Sequence, residues 1–188
     1  MQIPTGTYKL GPDDAKLMVH TRKAGAAAKA GHNLMIDVTE WDATVEVPDD
    51  AAATSMQLRA DSGSLVVREG KGGIQALGED DKASIRQTIA EDILKGGTIE
   101  FHSTSVEPSP DGGPLEVHGE LNLLGTTRPL TFELGADAEG RLTGTARLKQ
   151  TDFGIKPYSA LFGTLKVVDE IDVEFDGRLP AGQEARFG

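Results

Sequence analysis

Cysteine is absent from this chain of 188 residues. Its absence excludes disulfide bonds, thiolate nucleophiles and cysteine-bound metals together. Aromatic residues are also scarce, at 5%, so we expect a core built mainly from leucine, valine, isoleucine and alanine. Stability must therefore come from the packing of aliphatic side chains.

Basic residues are few and scattered. Lysine and arginine number 19 against 30 acidic residues, which gives a formal net charge of −11, and only Arg22 and Lys23 are adjacent. A chain of this charge without a basic patch is repelled by nucleic acids and by anionic lipid surfaces. We therefore predict no nucleic-acid partner.

Long apolar runs are missing as well. No window approaches the ~20 apolar residues of a membrane-spanning helix, and the first residues, "MQIPTGTYKLGPDD", lack the charged and apolar regions of a signal peptide. The sequence thus predicts a cytoplasmic protein without stable membrane insertion.

Most of the sequence alternates between apolar and polar residues. Leu34, Ile36 and Val38 share one face, and the alternation resumes at Trp41 after a phase slip that predicts a bulge or a bend. Similar segments recur along the chain with turn residues between them. The pattern predicts at least eight antiparallel strands.

One segment has a different period. In "GEDDKASIRQTIAEDILKGG", residues 78–97, Ile85, Ile89 and Ile93 are four apart, acidic residues come first and two glycines come last. These are the marks of a short amphipathic helix with a glycine stop. Its apolar stripe must pack against one end or one flank of the sheet.

A long antiparallel sheet commonly removes its exposed edges by closing into a barrel. The candidates for the inner face include small residues, such as Gly119, Gly144 and Ala146, and few large ones. Such a barrel is underfilled by its own side chains and favours an apolar guest. An ordinary β-sandwich without a cavity fits the same pattern, and periodicity alone does not choose between the two.

A resemblance to a known family bears on that choice. The segments "AGHNLMIDVTEW", "IEFHSTSVEP", "VHGELNLLGTTRPLTFEL" and "LKQTDFGI" follow in the order and spacing of the YceI family, and the similarity runs from about Thr5 to Leu179. It implies an all-β fold, a lipocalin-like antiparallel β-barrel of about eight strands with one short covering helix. We place this domain at residues 1–180 and a flexible C-terminal tail at 181–188.

The resemblance also implies a function: binding, and possible carriage or sensing, of a long isoprenoid-type lipid inside the barrel. We assign ligand contact to apolar residues of the inner face and the barrel end: Leu34, Ile36, Val38, Phe101, Leu121, Leu123, Phe132, Ala146, Phe153 and Phe162. The alternative is a non-enzymatic protein-interaction module, such as a homodimer, with a packed interior. Tyr158, Leu161 and Phe162 either line the mouth of the barrel or plug its end.

The sequence predicts no catalytic residue, no metal site and no cofactor other than the lipid. If the chain turns within residues 108–114, His102 and His118 lie on neighbouring strands with their side chains on the same, outer face, so they could meet there. An enzyme built on them would need a metal, yet a closed site requires three or four ligands and no suitable spacing supplies the others. Asp152, beside Phe153, is assigned a structural role in a corner held by backbone donors.

Overall fold

Antiparallel β-strands form most of the structure, a computed structural model that describes residues 4–109, 111, 113–137 and 139–180. The tail predicted at 181–188 lies outside this range. The strands are β1 (Gly6–Leu10), β2 (Ala15–Thr21), β3 (Lys23–Ala24), β4 (His32–Val38), β5 (Trp41–Val47), β6 (Ser55–Asp61), β7 (Leu65–Gly72), β8 (Thr98–Pro108), β9 (Leu115–Leu123), β10 (Thr126–Ala136), β11 (Arg141–Lys149), β12 (Ser159–Ala160), β13 (Leu165–Val167) and β14 (Glu170–Arg178).

Eleven of these strands form one sheet in the order β1-β5-β6-β8-β9-β10-β11-β14-β2-β4-β7, and β12, β13 and β3 form a small second sheet. Neighbouring strands of the large sheet are antiparallel. The all-β prediction is confirmed. The predicted barrel size of about eight strands is not confirmed, because the large sheet contains eleven strands.

Bends within long extended stretches account for the difference in number. β1 and β2 are separated by residues 11–14, β4 and β5 by residues 39–40, and β6 and β7 by residues 62–64. The break in the apolar–polar alternation before Trp41 marked the second of these, between β4 and β5, in the sequence. Since the edge strand β1 continues directly into β2, which lies well inside the sheet order, the sheet must curl round to bring them together as a barrel.

Hydrogen bonds tie two of these bends to each other. Thr39 donates from both its backbone nitrogen and its hydroxyl to the carbonyl oxygen of Ser64, at 3.0 and 2.9 Å. The backbone nitrogen of Asp61 donates to the Glu40 carbonyl oxygen at 2.9 Å. The two strands therefore turn the same corner together, and the polar backbone at the bends is satisfied.

Side chains along each strand alternate between the interior and the surface. On β9, Val117, Gly119, Leu121 and Leu123 are buried, and the residues between them are exposed or half-buried. A pleated strand with one face in the core and the other in solvent requires this alternation. The apolar face of the sheet encloses the core.

The predicted helix is present as α1 (Glu79–Gln87), and it continues into a π-helical turn, Thr88–Ile93. Three acidic residues occupy its first turn, where the helix dipole favours negative charge. Gly96, at φ 70°, follows the helical segment as its predicted stop. Within the described residues, no helix is both long and apolar enough to cross a bilayer.

Candidate functional site: an apolar cavity inside the barrel

The inner face of the sheet surrounds a cavity of about 570 Å³. This volume lies within the range of about 300–1,000 Å³ that small-molecule sites occupy. The wall is built from inward side chains of strands all round the barrel, and most of them are leucine, isoleucine, valine and phenylalanine. A sandwich without a cavity therefore does not describe this fold.

Small residues make the room for this cavity, as the sequence suggested. Ala60, Gly144 and Ala146 all face it. Gly119 acts differently, because it leaves room for the ring of Phe101: a Cβ atom there would collide with that ring and lie 2.5 Å from the His102 carbonyl oxygen. Phe101 in turn packs on Phe132, with ring centroids 5.6 Å apart.

The structure brings together eight of the ten residues assigned to ligand contact. Those that line the cavity are Leu34, Ile36, Val38, Phe101, Leu121, Leu123, Phe132 and Ala146. Phe153 is buried in the core, with 5% of its surface exposed, but is not part of the wall. Phe162 is fully exposed on a loop. Their contact with a ligand stays a prediction.

The helical segment contributes wall residues that were not among those assigned. Ile85, Ile89 and Ile93 line the cavity, and Ile89 is buried. Their four-residue spacing predicted the apolar stripe and its burial against the sheet. It carried no information on whether the stripe would meet packed side chains or open space. The turn that holds Ile89 and Ile93 is π-helical, a geometry often found at functional sites.

Polar side chains border the cavity at the end formed by the small sheet. They include Lys23, His32, Tyr158 and Lys166. The Lys23 ammonium group donates to the carbonyl oxygen of Gly31 at 2.7 Å. Tyr158 lines the cavity and is also 48% exposed, so this end reaches the surface. Of the three residues considered for the mouth, the structure places Tyr158 there and leaves Leu161 and Phe162 exposed to solvent.

A match to a family model decides the family. The model described as the YceI-like domain covers residues 8–179. The chain belongs to the YceI-like family. This confirms the resemblance read from the sequence motifs.

Relatives and solved structures agree with this assignment. Two UPF0312 proteins of Pseudomonas putida are 32% identical to the chain over 95 residues, which is 46% of this chain and 47% of theirs. The match thus spans about half the length of these curated relatives. The crystal structure of Burkholderia cenocepacia BcnA superposes with a TM-score of 0.62 at 18% identity, covering 86% of this chain and 94% of that one. The Campylobacter jejuni YCEI protein gives 0.53 at 15% identity, covering 79% and 85%. These likenesses support the YceI-like fold.

In this YceI-like chain His102 and His118 lie on the outer face of neighbouring strands, but not opposite each other. The register of the two strands places His102 opposite Glu120 and, after a shift between Ser103 and Ser105, His118 opposite Ser105. The Nδ1 atom of His118 lies 3.0 Å from the Thr131 hydroxyl. Across the described ranges, no group of three or more histidine and acidic side chains could hold a metal ion.

Acidic side chains of β14 also lie on the outer face, where they pair with arginines. Arg147 lies 2.6 Å from Asp172, and Arg141 lies 2.7 Å from Asp176. The hydrogen bond from each arginine, and then its positive charge, lowers the pKa of the aspartate below its usual value, against the opposing effect of desolvation. The inward neighbours of these acids, including Val173 and Phe175, line the cavity. The strand therefore separates charge from the dry interior.

Asp152 does not hold the corner as predicted, since its side chain is exposed and accepts no hydrogen bond from the described residues. Asp169 does so instead. Its carboxylate accepts hydrogen bonds from the Thr151 backbone nitrogen and hydroxyl, at 2.9 and 2.6 Å. The hydroxyl bond, followed by the backbone bond, lowers the pKa of Asp169. The responsible acid is distant in sequence, which is why local spacing pointed to the wrong residue.

Proposed function

We propose that this protein binds a long apolar lipid, of isoprenoid type, inside its barrel and acts as its carrier or sensor. The observation that carries the proposal is the cavity of about 570 Å³ with an aliphatic and aromatic wall. Each methylene group that leaves water for such a wall contributes ~0.8 kcal/mol. A long chain therefore gains affinity along its whole length without needing specific polar contacts.

The isoprenoid character of the cargo comes from the family resemblance. We propose no catalytic step and no cofactor. The wall supports the binding of an apolar chain, because most of its side chains are leucine, isoleucine, valine and phenylalanine. The cytoplasmic location stays a prediction of the sequence, to be tested by microscopy of the tagged protein.

Extraction of the purified full-length protein with organic solvent, followed by mass spectrometry, tests the proposal. We expect a lipid in close to equimolar amount when the protein is purified without detergent. A second arm adds farnesol to lipid-free protein and measures binding by calorimetry. An empty extract together with no farnesol binding would contradict the proposal.

A homodimer or other protein contact is a second candidate function, and one observation favours it. Leu161 is 56% exposed and Phe162 fully exposed on the loop beside the mouth. Apolar side chains of this size on a surface often mark a contact site. Light scattering of the wild type and of Phe162→Ser tests this: a dimer that the substitution dissociates supports the contact, and a monomeric wild type opposes the homodimer.

A further inference from the structure

The large apolar side chains that the protein exposes to solvent are gathered at one end of the barrel. Within the described residues they are Ile74, Tyr158, Leu161 and Phe162. Ile74 is 80% exposed and Phe162 is fully exposed. Single exposed apolar residues are ordinary, but a group of them on one surface commonly marks a contact site.

The exposed apolar residues lie on loops that meet beside the opening of the cavity. Three segments form this surface, which we call the mouth rim: residues 22–31, 73–78 and 154–168. The Ala27 backbone nitrogen donates to the Thr164 carbonyl oxygen at 2.9 Å, which ties the first segment to the third. His32, directly after the first segment, has its Nε2 atom 2.7 Å from the Gln75 carbonyl oxygen. Both His32 and Tyr158 line the cavity, so the mouth rim surrounds its opening.

The charge of the mouth rim is opposite to that of the whole chain, in which acidic residues outnumber lysine and arginine by 30 to 19. The three segments hold no aspartate or glutamate, and their basic residues are Arg22, Lys23, Lys29, Lys156 and Lys166. Arg22 lies 3.7 Å from Glu170. Lys29, Lys156 and Lys166 are exposed and take part in no ion pair with the described residues. The sequence showed no basic patch because these cations come from distant segments.

We propose that the mouth rim docks on the surface of an anionic bilayer. Leu161 and Phe162 enter the boundary between head groups and acyl chains, and the lysines of the mouth rim lie beside anionic head groups. Exposed apolar side chains next to lysines are the composition of segments that bind the membrane interface reversibly. A docked mouth would let a lipid pass between bilayer and barrel without crossing water, and in this respect the inference rests on the proposed function.

A second copy of the chain fits this surface less well than a bilayer does. A two-fold symmetric contact joins the same surface of both copies. Two sets of lysines would then share one contact in which the mouth rim supplies no acid to balance them. Anionic head groups supply that opposite charge, and the acyl chains below them receive the apolar side chains.

Sedimentation of the full-length protein with lipid vesicles measures the docking. One vesicle preparation is pure phosphatidylcholine, and the other contains three parts phosphatidylcholine to one part phosphatidylglycerol. We expect the anionic vesicles to bind the protein several-fold more tightly than the neutral ones. Salt should weaken this binding, because it screens charges at an exposed surface.

Substitutions separate the apolar and the cationic contributions. Phe162→Ser should weaken binding to both kinds of vesicle about tenfold, the effect of leaving one phenyl ring in water. Lys29→Gln and Lys156→Gln should each weaken binding to the anionic vesicles about fivefold and leave the neutral ones unchanged. Lys9→Gln, on the exposed face of β1 and outside the mouth rim, is the matched control and should change neither.

Phe162→Trp reports directly on insertion. Its indole ring should shift its emission to shorter wavelength on anionic vesicles, and lipids brominated in their acyl chains should quench it. Trp41 is only 6% exposed, so the wild type should show neither change. An indole at position 162 that stays unshifted and unquenched on bound vesicles contradicts the insertion of this loop.

The outcomes distinguish the docking from the cargo. Lipid-free wild type that binds farnesol but neither kind of vesicle overturns the docking while the proposed function stands. Wild type that binds anionic vesicles but not farnesol supports the docking and counts against the apolar cargo. Vesicle binding that Phe162→Ser leaves unchanged, with a dimer that the same substitution dissociates, assigns the loop to a protein contact and overturns the docking.

Discussion

The indole ring of Trp41 meets the phenyl ring of Phe175 edge to face, with ring centroids 6.0 Å apart and an interplanar angle of 75°. Their strands, β5 and β14, are six places apart in the sheet order, so this contact joins surfaces that no ladder of hydrogen bonds connects. Phe175 also faces the cavity. The pair links the packed core to the cavity wall.

Phe175→Ala should lower the free energy of unfolding by about 2 kcal/mol, less than the 3–5 kcal/mol of a fully buried phenylalanine because Phe175 is partly exposed to the cavity. Urea unfolding followed by the fluorescence of Trp41, the only tryptophan, measures it. Phe162→Ala is the matched control, since its ring is fully exposed, and should stay within about 0.5 kcal/mol. Equal effects for both would contradict the placement of Phe175.

Ala146→Phe should reduce lipid binding and preserve the fold. Ala146 lies on β11 opposite Val173, and both face the cavity. A phenyl ring there displaces about two methylene groups of the guest, which corresponds to roughly a tenfold loss of affinity. Farnesol titration measures the loss and circular dichroism checks the fold. The exposed Ala52→Phe is the control, and undiminished binding in Ala146→Phe would count against this position of the lipid.

Gly119→Ala should destabilise the barrel by about 1–3 kcal/mol, the range for overpacked sites. The added methyl group would meet the Phe101 ring and the His102 carbonyl oxygen, and the latter is fixed in a strand ladder. Gly11→Ala is a control, because its Cβ atom would lie at an ordinary 3.6 Å from the Trp41 carbonyl oxygen. Chemical denaturation compares them, and a neutral Gly119→Ala would show that Phe101 is not held against the sheet.

Acid should destabilise the protein through the aspartates of β14. Arg141 and Arg147 lower the pKa values of Asp176 and Asp172 below 3.8 in the folded chain. A carboxyl group of this kind stabilises the fold above its unfolded pKa, and the contribution is lost as the pH falls through the lower, folded value. We therefore expect the thermal midpoint to fall steadily as the pH drops below about 5.

Substitution of one partner isolates this effect. Arg141→Gln should lower the thermal midpoint at pH 7, and its difference from the wild type should shrink as the acid protonates Asp176. Arg86→Gln removes an exposed arginine of α1 that forms no ion pair with the described residues, and it serves as the control. A difference for Arg141→Gln that is the same at pH 7 and pH 3 would refute this origin.

Much of the fold follows from local patterns. Leu34, Ile36 and Val38 were correctly placed on one inward face because strand side chains alternate with a period of two. The helix over residues 79–87 was recognised because its apolar residues recur at helical spacing. Most of the assigned wall residues were found for the same reason, since each inward face is apolar and each outward face is polar.

Other features depended on contacts between distant residues. The shared face of His102 and His118 allowed them to meet, but the register of β8 on β9 puts Glu120 opposite His102 and Ser105 opposite His118. Phe162 was assigned to the ligand as an apolar residue of the barrel end, yet its backbone adopts φ 55° and its ring is fully exposed. No pattern of neighbouring residues encodes either outcome.

By itself, the sequence determined that this chain forms an antiparallel sheet with one dry face and a short amphipathic helix, because side-chain alternation and helical spacing are properties of neighbouring residues. Only the tertiary structure decided that bends let eleven strands curl round a cavity and that Ile85, Ile89 and Ile93 face that cavity. These features depend on which distant segments meet, and the energy of such contacts belongs to the whole fold rather than to any one segment.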